Sequence, residues 1–165
     1  MRGDPNARLT ILSQVEKTAL YGIPNFDDFQ RTEFFAMTDA ERSFALGRKS
    51  VLAHVYCLLQ IGYFKAKQAF FQFSLDDVQP EDIAFLLQRY FPGQTLLNAP
   101  LHNSEYYVQR NRIAKLFGYR MCSNDNLPAL RAKATLLART DVTPTFLLGE
   151  LIVFLIGQAT PRCKT

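Results

Sequence analysis

Ser50-Val51-Leu52-Ala53-His54-Val55-Tyr56-Cys57-Leu58-Leu59-Gln60-Ile61-Gly62 decides the fold class. Val51, Leu52, Val55, Leu58, Leu59 and Gly62 recur at the i, i+3, i+4 spacing of a helix, and Tyr56 and Ile61 fill the other side. Ser50 is placed to cap this helix, which is expected to run to about Ile61. A helix that is apolar nearly all round must be surrounded by others, so this one is read as the centre of an all-α protein.

The punctuation on either side is helical as well. Ser13-Gln14-Val15-Glu16 and Thr38-Asp39-Ala40-Glu41 have the form of capping boxes, in which hydroxyl and carboxylate each satisfy a backbone N–H that the first helical turn leaves unpaired. The first helix should stop at Gly22-Ile23-Pro24, because proline disfavours a helical residue before it. Asp27 to Phe35 reads as a short helix offering Phe26, Phe29, Phe34 and Phe35 for burial. Lys65 to Phe73 fits either a continued helix or an extended aromatic segment.

Pro80 suits a first helical turn, with Glu81 and Asp82 compensating the positive end of the dipole. Ile83, Leu86, Leu87 and Tyr90 then mark one face before Phe91-Pro92-Gly93. Further helices are expected from Ser104 to Phe117, from Leu127 to Arg139, and from Thr143-Pro144 to about Ile156. Period-two alternation is missing throughout. The expectation is a compact multi-helix domain, with a hinge between Phe91 and Asn103 allowing two small lobes, 9–91 and 104–156.

Composition sets the class. Of 165 residues, 48% are hydrophobic and 13% aromatic, far too many for a disordered chain. Cys57, Cys122 and Cys163 are odd in number and widely spaced, and Met1-Arg2-Gly3-Asp4-Pro5 opens no signal peptide. A cytoplasmic setting is expected. Phe146 to Ile156 is interrupted by Glu150 and falls well short of the roughly 20 residues that span a bilayer, so no membrane partner is expected.

Chemistry has few footholds. There is no Gly-rich phosphate loop and no nucleophile elbow. His54 and Cys57 lie one helical turn apart, but two ligands are too few for zinc and the helix is too apolar, so both read as core or near-core residues. Asp76, Asp77, Glu81 and Asp82 read as capping and dipole compensation rather than as metal-binding carboxylates. His102 reads as solvated in a polar loop. The expectation is no catalytic residue, no metal and no cofactor.

Charge is more informative. The chain carries +4 overall, but 42–75 holds five bases and no acid, 76–105 carries −4, and 106–165 carries +6. Two basic blocks around an acidic one are the footprint of a polyanion partner, or of ordinary alternation on a soluble chain. On a helical wheel for 104–117, Tyr106, Ile113 and Phe117 share one face, with Tyr107 and Ala114 beside them. Val108, Asn111, Arg112 and Lys115 share the opposite face, and Arg110 falls on the apolar side, as a paired structural residue or one that bends around the flank. An apolar back with a basic, amide-bearing front suits a major groove: Asn can read adenine, Arg guanine, and Lys mostly phosphate. The alternative is a plain solvated face. Arg48, Lys49, Lys65 and Lys67 bracket the ends of the central helix as a second candidate patch.

The motifs, taken in order, resemble a known family. Leu12-Ser13-Gln14-Val15-Glu16 followed by Tyr21-Gly22-Ile23-Pro24 looks like the opening of the replicative transposases of the Tn-three family. Arg31-Thr32-Glu33-Phe34-Phe35-Ala36-Met37-Thr38-Asp39-Ala40-Glu41 is similar to that family's arginine, aromatic pair and capping-box helix. Leu58-Leu59 with Gly62-Tyr63-Phe64 fits its apolar helix closing on a glycine. Ile113 through Gly118-Tyr119-Arg120 resembles its isoleucine helix ending in Gly, aromatic, Arg, which adds Arg120 to the candidate DNA-binding residues. The similarity covers most of 9–156. Two positions depart: Gln109 stands where the family often has histidine, and Tyr63 where many members carry arginine.

The resemblance implies a transposase N-terminal region with helix-turn-helix-like DNA-binding units, recognising the terminal inverted repeats of the transposon as duplex DNA. In that family the acidic triad lies much later, in an RNase H-like domain. The 165 residues are therefore expected to be a fragment or a truncated copy without catalysis, with 157–165 leading toward downstream domains. Those downstream transposase domains and a second copy of the chain are the expected protein partners. A protein-interaction module, docking through the Phe146–Ile156 helix, is the competing expectation.

Overall fold

The computed structural model describes residues 12–96, 103–119 and 123–159. Among them the chain is all-helical, with eight α-helices and no strand: α1 (Gln14–Tyr21), α2 (Asp28–Phe34), α3 (Asp39–Leu46), α4 (Val51–Lys67), α5 (Pro80–Tyr90), α6 (Asn103–Leu116), α7 (Leu127–Leu137) and α8 (Pro144–Ala159). The Ser13/Glu16 and Thr38/Glu41 capping boxes form as read, and Asp27/Gln30 adds a third at the start of α2.

Two compact units emerge. One gathers α2 to α6, within residues 23–121, and the other joins α1 to α7 and α8. These units do not follow the expected lobe edges at 91 and 104. The reason is packing: Tyr106 and Ile113 of α6 are buried in the same apolar cluster as α4, so α6 belongs with the helices before it. In the other unit α7 packs on α8.

α4 is the axis of the larger unit. Every residue from Val55 to Phe64 is buried. It outruns its expected end at Ile61 and stops at Lys67, where Gln68 takes a left-handed conformation at φ 51°. The chain from there to Ser74 is non-helical, so the ambiguous segment takes both forms in succession. Side chains of α4 fasten it: Gln60 Nε2 donates to the Phe71 carbonyl at 2.5 Å and Tyr56 Oη to that of Phe73 at 3.1 Å. Phe73 also stacks on Tyr56, with ring centroids 4.5 Å apart.

α2 presses against α4 at Gly62. The fully buried Phe35 ring occupies the space that a side chain at 62 would need. Phe26 packs on Phe34, Phe35 and Tyr63, with centroids 5.2–5.5 Å apart. Phe29, expected to be buried with them, is 76% exposed. It lies five residues before Phe34, about 140° around the helix, and so faces away from α4.

Asp82 also departs from its reading as a helix-dipole residue. Its side chain is wholly buried. Oδ1 accepts from Arg31 Nε at 2.7 Å and Oδ2 from Tyr63 Oη at 2.9 Å, while Arg31 reaches Asp28 at 2.6 Å. The clasp ties α2, α4 and α5 together, and a buried carboxylate is tolerated because both oxygens are satisfied. Burial pushes the Asp82 carboxyl up from the ordinary aspartate range, with the hydrogen bonds from Arg31 and Tyr63 opposing it.

Cys57 is buried as expected for a core residue, and burial pushes its thiol up to about 12. A thiol needs its thiolate form to react. The peptide carrying Cys57 should therefore resist alkylation in the native protein and label once the chain is unfolded, read by mass spectrometry. Native-state labelling as fast as that of the unfolded chain would contradict this packing.

Candidate functional site

α6 has one buried face and one exposed face. Tyr106, Gln109, Ile113 and Ala114 are buried, and Phe117 packs against the core. Asn111, Arg112 and Lys115 are exposed, and Val108 is exposed beside them. Positions 108, 111, 112 and 115 follow the i, i+3, i+4, i+7 spacing, so they form one stripe along the helix. Phe117 and Tyr119 meet Phe64 at 5.3 and 5.2 Å between ring centroids, and this seats the end of α6 against the end of α4.

The back of that helix explains several positions. Burial pushes the Tyr106 hydroxyl up, with Arg110 beside it opposing the shift. The Arg110 guanidinium lies 5.5 Å from the Tyr107 ring centroid. Gln109, one of the departures from the resembled family, is buried behind the exposed stripe. The other departure, Tyr63, is buried in the Asp82 clasp.

The second set of candidate bases is not brought together. Arg48 and Lys49 precede α4, whereas Lys65 and Lys67 lie at its far end, about 25 Å away at 1.5 Å per residue. Lys49 is exposed. The half-buried Arg48 places its guanidinium 4.7 Å from the Phe44 ring centroid, and its carbonyl accepts from His54 Nε2 at 2.8 Å. Half-buried Lys67 stands 5.8 Å from the Phe71 ring centroid. Arg120 lies outside the described residues.

Lys65 is committed to internal contacts. Its Nζ donates to the Ala36 carbonyl and to Glu41 Oε2, both at 2.7 Å. Glu41 is buried and also accepts from the Thr38 backbone N–H, so the lysine neutralises a capping carboxylate. Lys65→Ala should leave that carboxylate unpaired and cost about 2 kcal/mol in urea denaturation. An unchanged midpoint would show the pair to contribute nothing.

Two exposed arginines escaped the sequence reading, Arg42 on α3 and Arg89 on α5. Neither forms an ion pair among the described residues. Arg42 stood in the first basic block, but its helix had drawn notice only for its capping box. Arg89 was the lone base in an acidic stretch. Among the described residues no three His, Cys, Asp or Glu side chains gather as a metal would require, and no helix is long and apolar enough to cross a membrane.

A family described as a domain of unknown function, DUF4158, matches residues 11–160. No curated protein and no solved structure matches the chain.

Proposed function

This chain belongs to the DUF4158 family, and we propose that it is a duplex-DNA-binding module whose reading element is α6. The observation that carries the proposal is the exposed stripe of Val108, Asn111, Arg112 and Lys115 on a helix whose other face is buried. A helix packed by its back, with an amide and two cations on its front, presents groups that can hydrogen-bond base edges and phosphates. Lys49 and Lys67 would add phosphate contacts from other parts of the surface.

Domains of this family are known at the N-terminus of Tn-three transposases, which agrees with the motifs from Leu12 to Arg120. The target is accordingly proposed to be the terminal inverted repeat of a transposon. Strand cleavage and joining are assigned to downstream domains, and no catalysis to these residues.

Fluorescence anisotropy of a labelled transposon-end duplex against a scrambled one tests this at several salt concentrations. The end sequence should bind more tightly, with affinity falling by a log–log slope of about 0.9 for each phosphate neutralised. Arg112→Ala should weaken binding by about tenfold, in the range of a lost base contact, and Lys115→Ala should reduce the salt slope by about one. If neither substitution alters binding, α6 is not the interface.

A second reading, a protein-interaction module, draws on the other unit. Leu136 of α7 and Val153 of α8 are exposed on helices that are otherwise mostly apolar. Concentration-dependent association in light scattering, without a DNA shift at low salt, would favour it.

A further inference from the structure

An apolar-floored cavity of about 350 Å³ opens between α3, α4 and α5. Ala45, Leu58 and Phe91 form its floor, and the exposed Arg42 and Arg89 stand at its rim. Arg89 is held near the rings of Phe85 and Tyr90, at 5.9 and 5.8 Å from their centroids. A cavity of this size has room for an aromatic side chain. Its rim cations, neither of them ion-paired among the described residues, favour one flanked by carboxylates.

The same unit presents a matching group. Phe29 projects from α2 at 76% exposure, the most exposed aromatic side chain among the described residues. Asp27 and Asp28 precede it directly and Glu33 follows one turn later, and all three are exposed. Asp28 pairs with Arg31, but Asp27 and Glu33 make no ion pair among the described residues. An aromatic knob in an acidic setting and a cavity with a basic rim therefore occur on one chain.

We propose that the Phe29 side chain of one copy inserts into the Arg42–Arg89 cavity of a second copy, making this surface a self-association site. The occupant is a second copy because both complementary halves are present in the chain, an exposed aromatic among carboxylates and a cavity rimmed by two arginines. Each copy offers knob and hole, so the contact is either reciprocal across a two-fold axis or repeated head to tail. One buried side chain with a charged rim makes a weak, salt-sensitive interface. This proposal is independent of DNA reading by α6.

Sedimentation equilibrium of the full 165-residue chain, up to several hundred micromolar, reads the association. The wild type should self-associate at low salt and dissociate as salt rises. Phe29→Ala alone, and Arg42→Ala with Arg89→Ala alone, should each weaken association tenfold or more. An equimolar mixture of the two variants should recover a heterodimer, because one supplies the hole and the other the knob. All three substituted positions are exposed, so circular dichroism should show each variant folded.

A wild type that stays monomeric would overturn the proposal. Variants that associate as the wild type does would also overturn it, and would place any contact elsewhere, such as on α8. Loss of duplex-DNA affinity in the arginine variant with unchanged association would overturn it too, assigning Arg42 and Arg89 to a polyanion surface.

Discussion

Asp82→Ala should lower the unfolding free energy by about 3–5 kcal/mol, the cost of leaving a buried charge without its partner. The Arg31 guanidinium, itself buried, would lose the carboxylate that its Nε meets at 2.7 Å. Tyr63 would lose its acceptor as well. The remaining Asp28 contact is weak compensation, because Asp28 is fully exposed and its attraction is screened by water. Tyr63→Phe should cost less, about 2 kcal/mol, since it removes the donor to one carboxylate oxygen and leaves the ion pair standing. Urea denaturation measures both. A loss below about 1 kcal/mol for Asp82→Ala would mean that Arg31 finds another partner or water, and the clasp would not be what joins α2 to α5.

Gly62→Ala should destabilise by about 3 kcal/mol, at the upper end for forcing extra volume into a packed core. In most helices the change would be favourable by up to about 1 kcal/mol. Here an added Cβ would stand 2.3 Å from both Cδ1 and Cε1 of Phe35 and 3.4 Å from the Phe34 carbonyl oxygen. Retreat is blocked because Phe26, Tyr63 and Phe85 surround that ring, with centroids 5.4–6.1 Å away. Phe35→Leu in the same chain should recover part of the loss by removing the ring edge that collides. A stable Gly62→Ala protein would show that α2 can shift off α4 without penalty, contrary to the close approach seen here.

These two positions mark how far a reading of the chain alone reaches. Gly62 was recognised as part of the apolar stripe of α4, since spacing along a helix is local. That a phenylalanine ring from α2 fills its place is not local. Likewise Glu81 and Asp82 looked equivalent at the start of α5, and either would suit the dipole. Glu81 is exposed as that role requires, but Asp82 turns inward to an arginine 51 residues earlier.

The candidate site divides in the same way. The front of α6 was legible because a helix whose back carries Tyr106, Ile113 and Phe117 must show positions 108, 111, 112 and 115 on its other side. Gln109 shares the buried face by the same arithmetic, lying three residues after Tyr106 and four before Ile113. Lys65 was not legible. Its charge sits in a basic block, yet it lies within reach of Glu41 and the Ala36 carbonyl, 24 and 29 residues away. Arg42 and Arg89 draw notice only when α3 and α5 line the same cavity.

By itself the sequence determined the helical class, the capping boxes, the central place of α4 and the two-faced character of α6. Each follows from periodicity and from unpaired backbone groups at helix ends, which neighbouring residues settle among themselves. Only the tertiary structure decided the Asp82 clasp, the exposure of Phe29, the commitment of Lys65 and the membership of α6 in the earlier unit. Those depend on which helices meet, because a charge or an aromatic ring takes its role from partners that the path of the chain brings near.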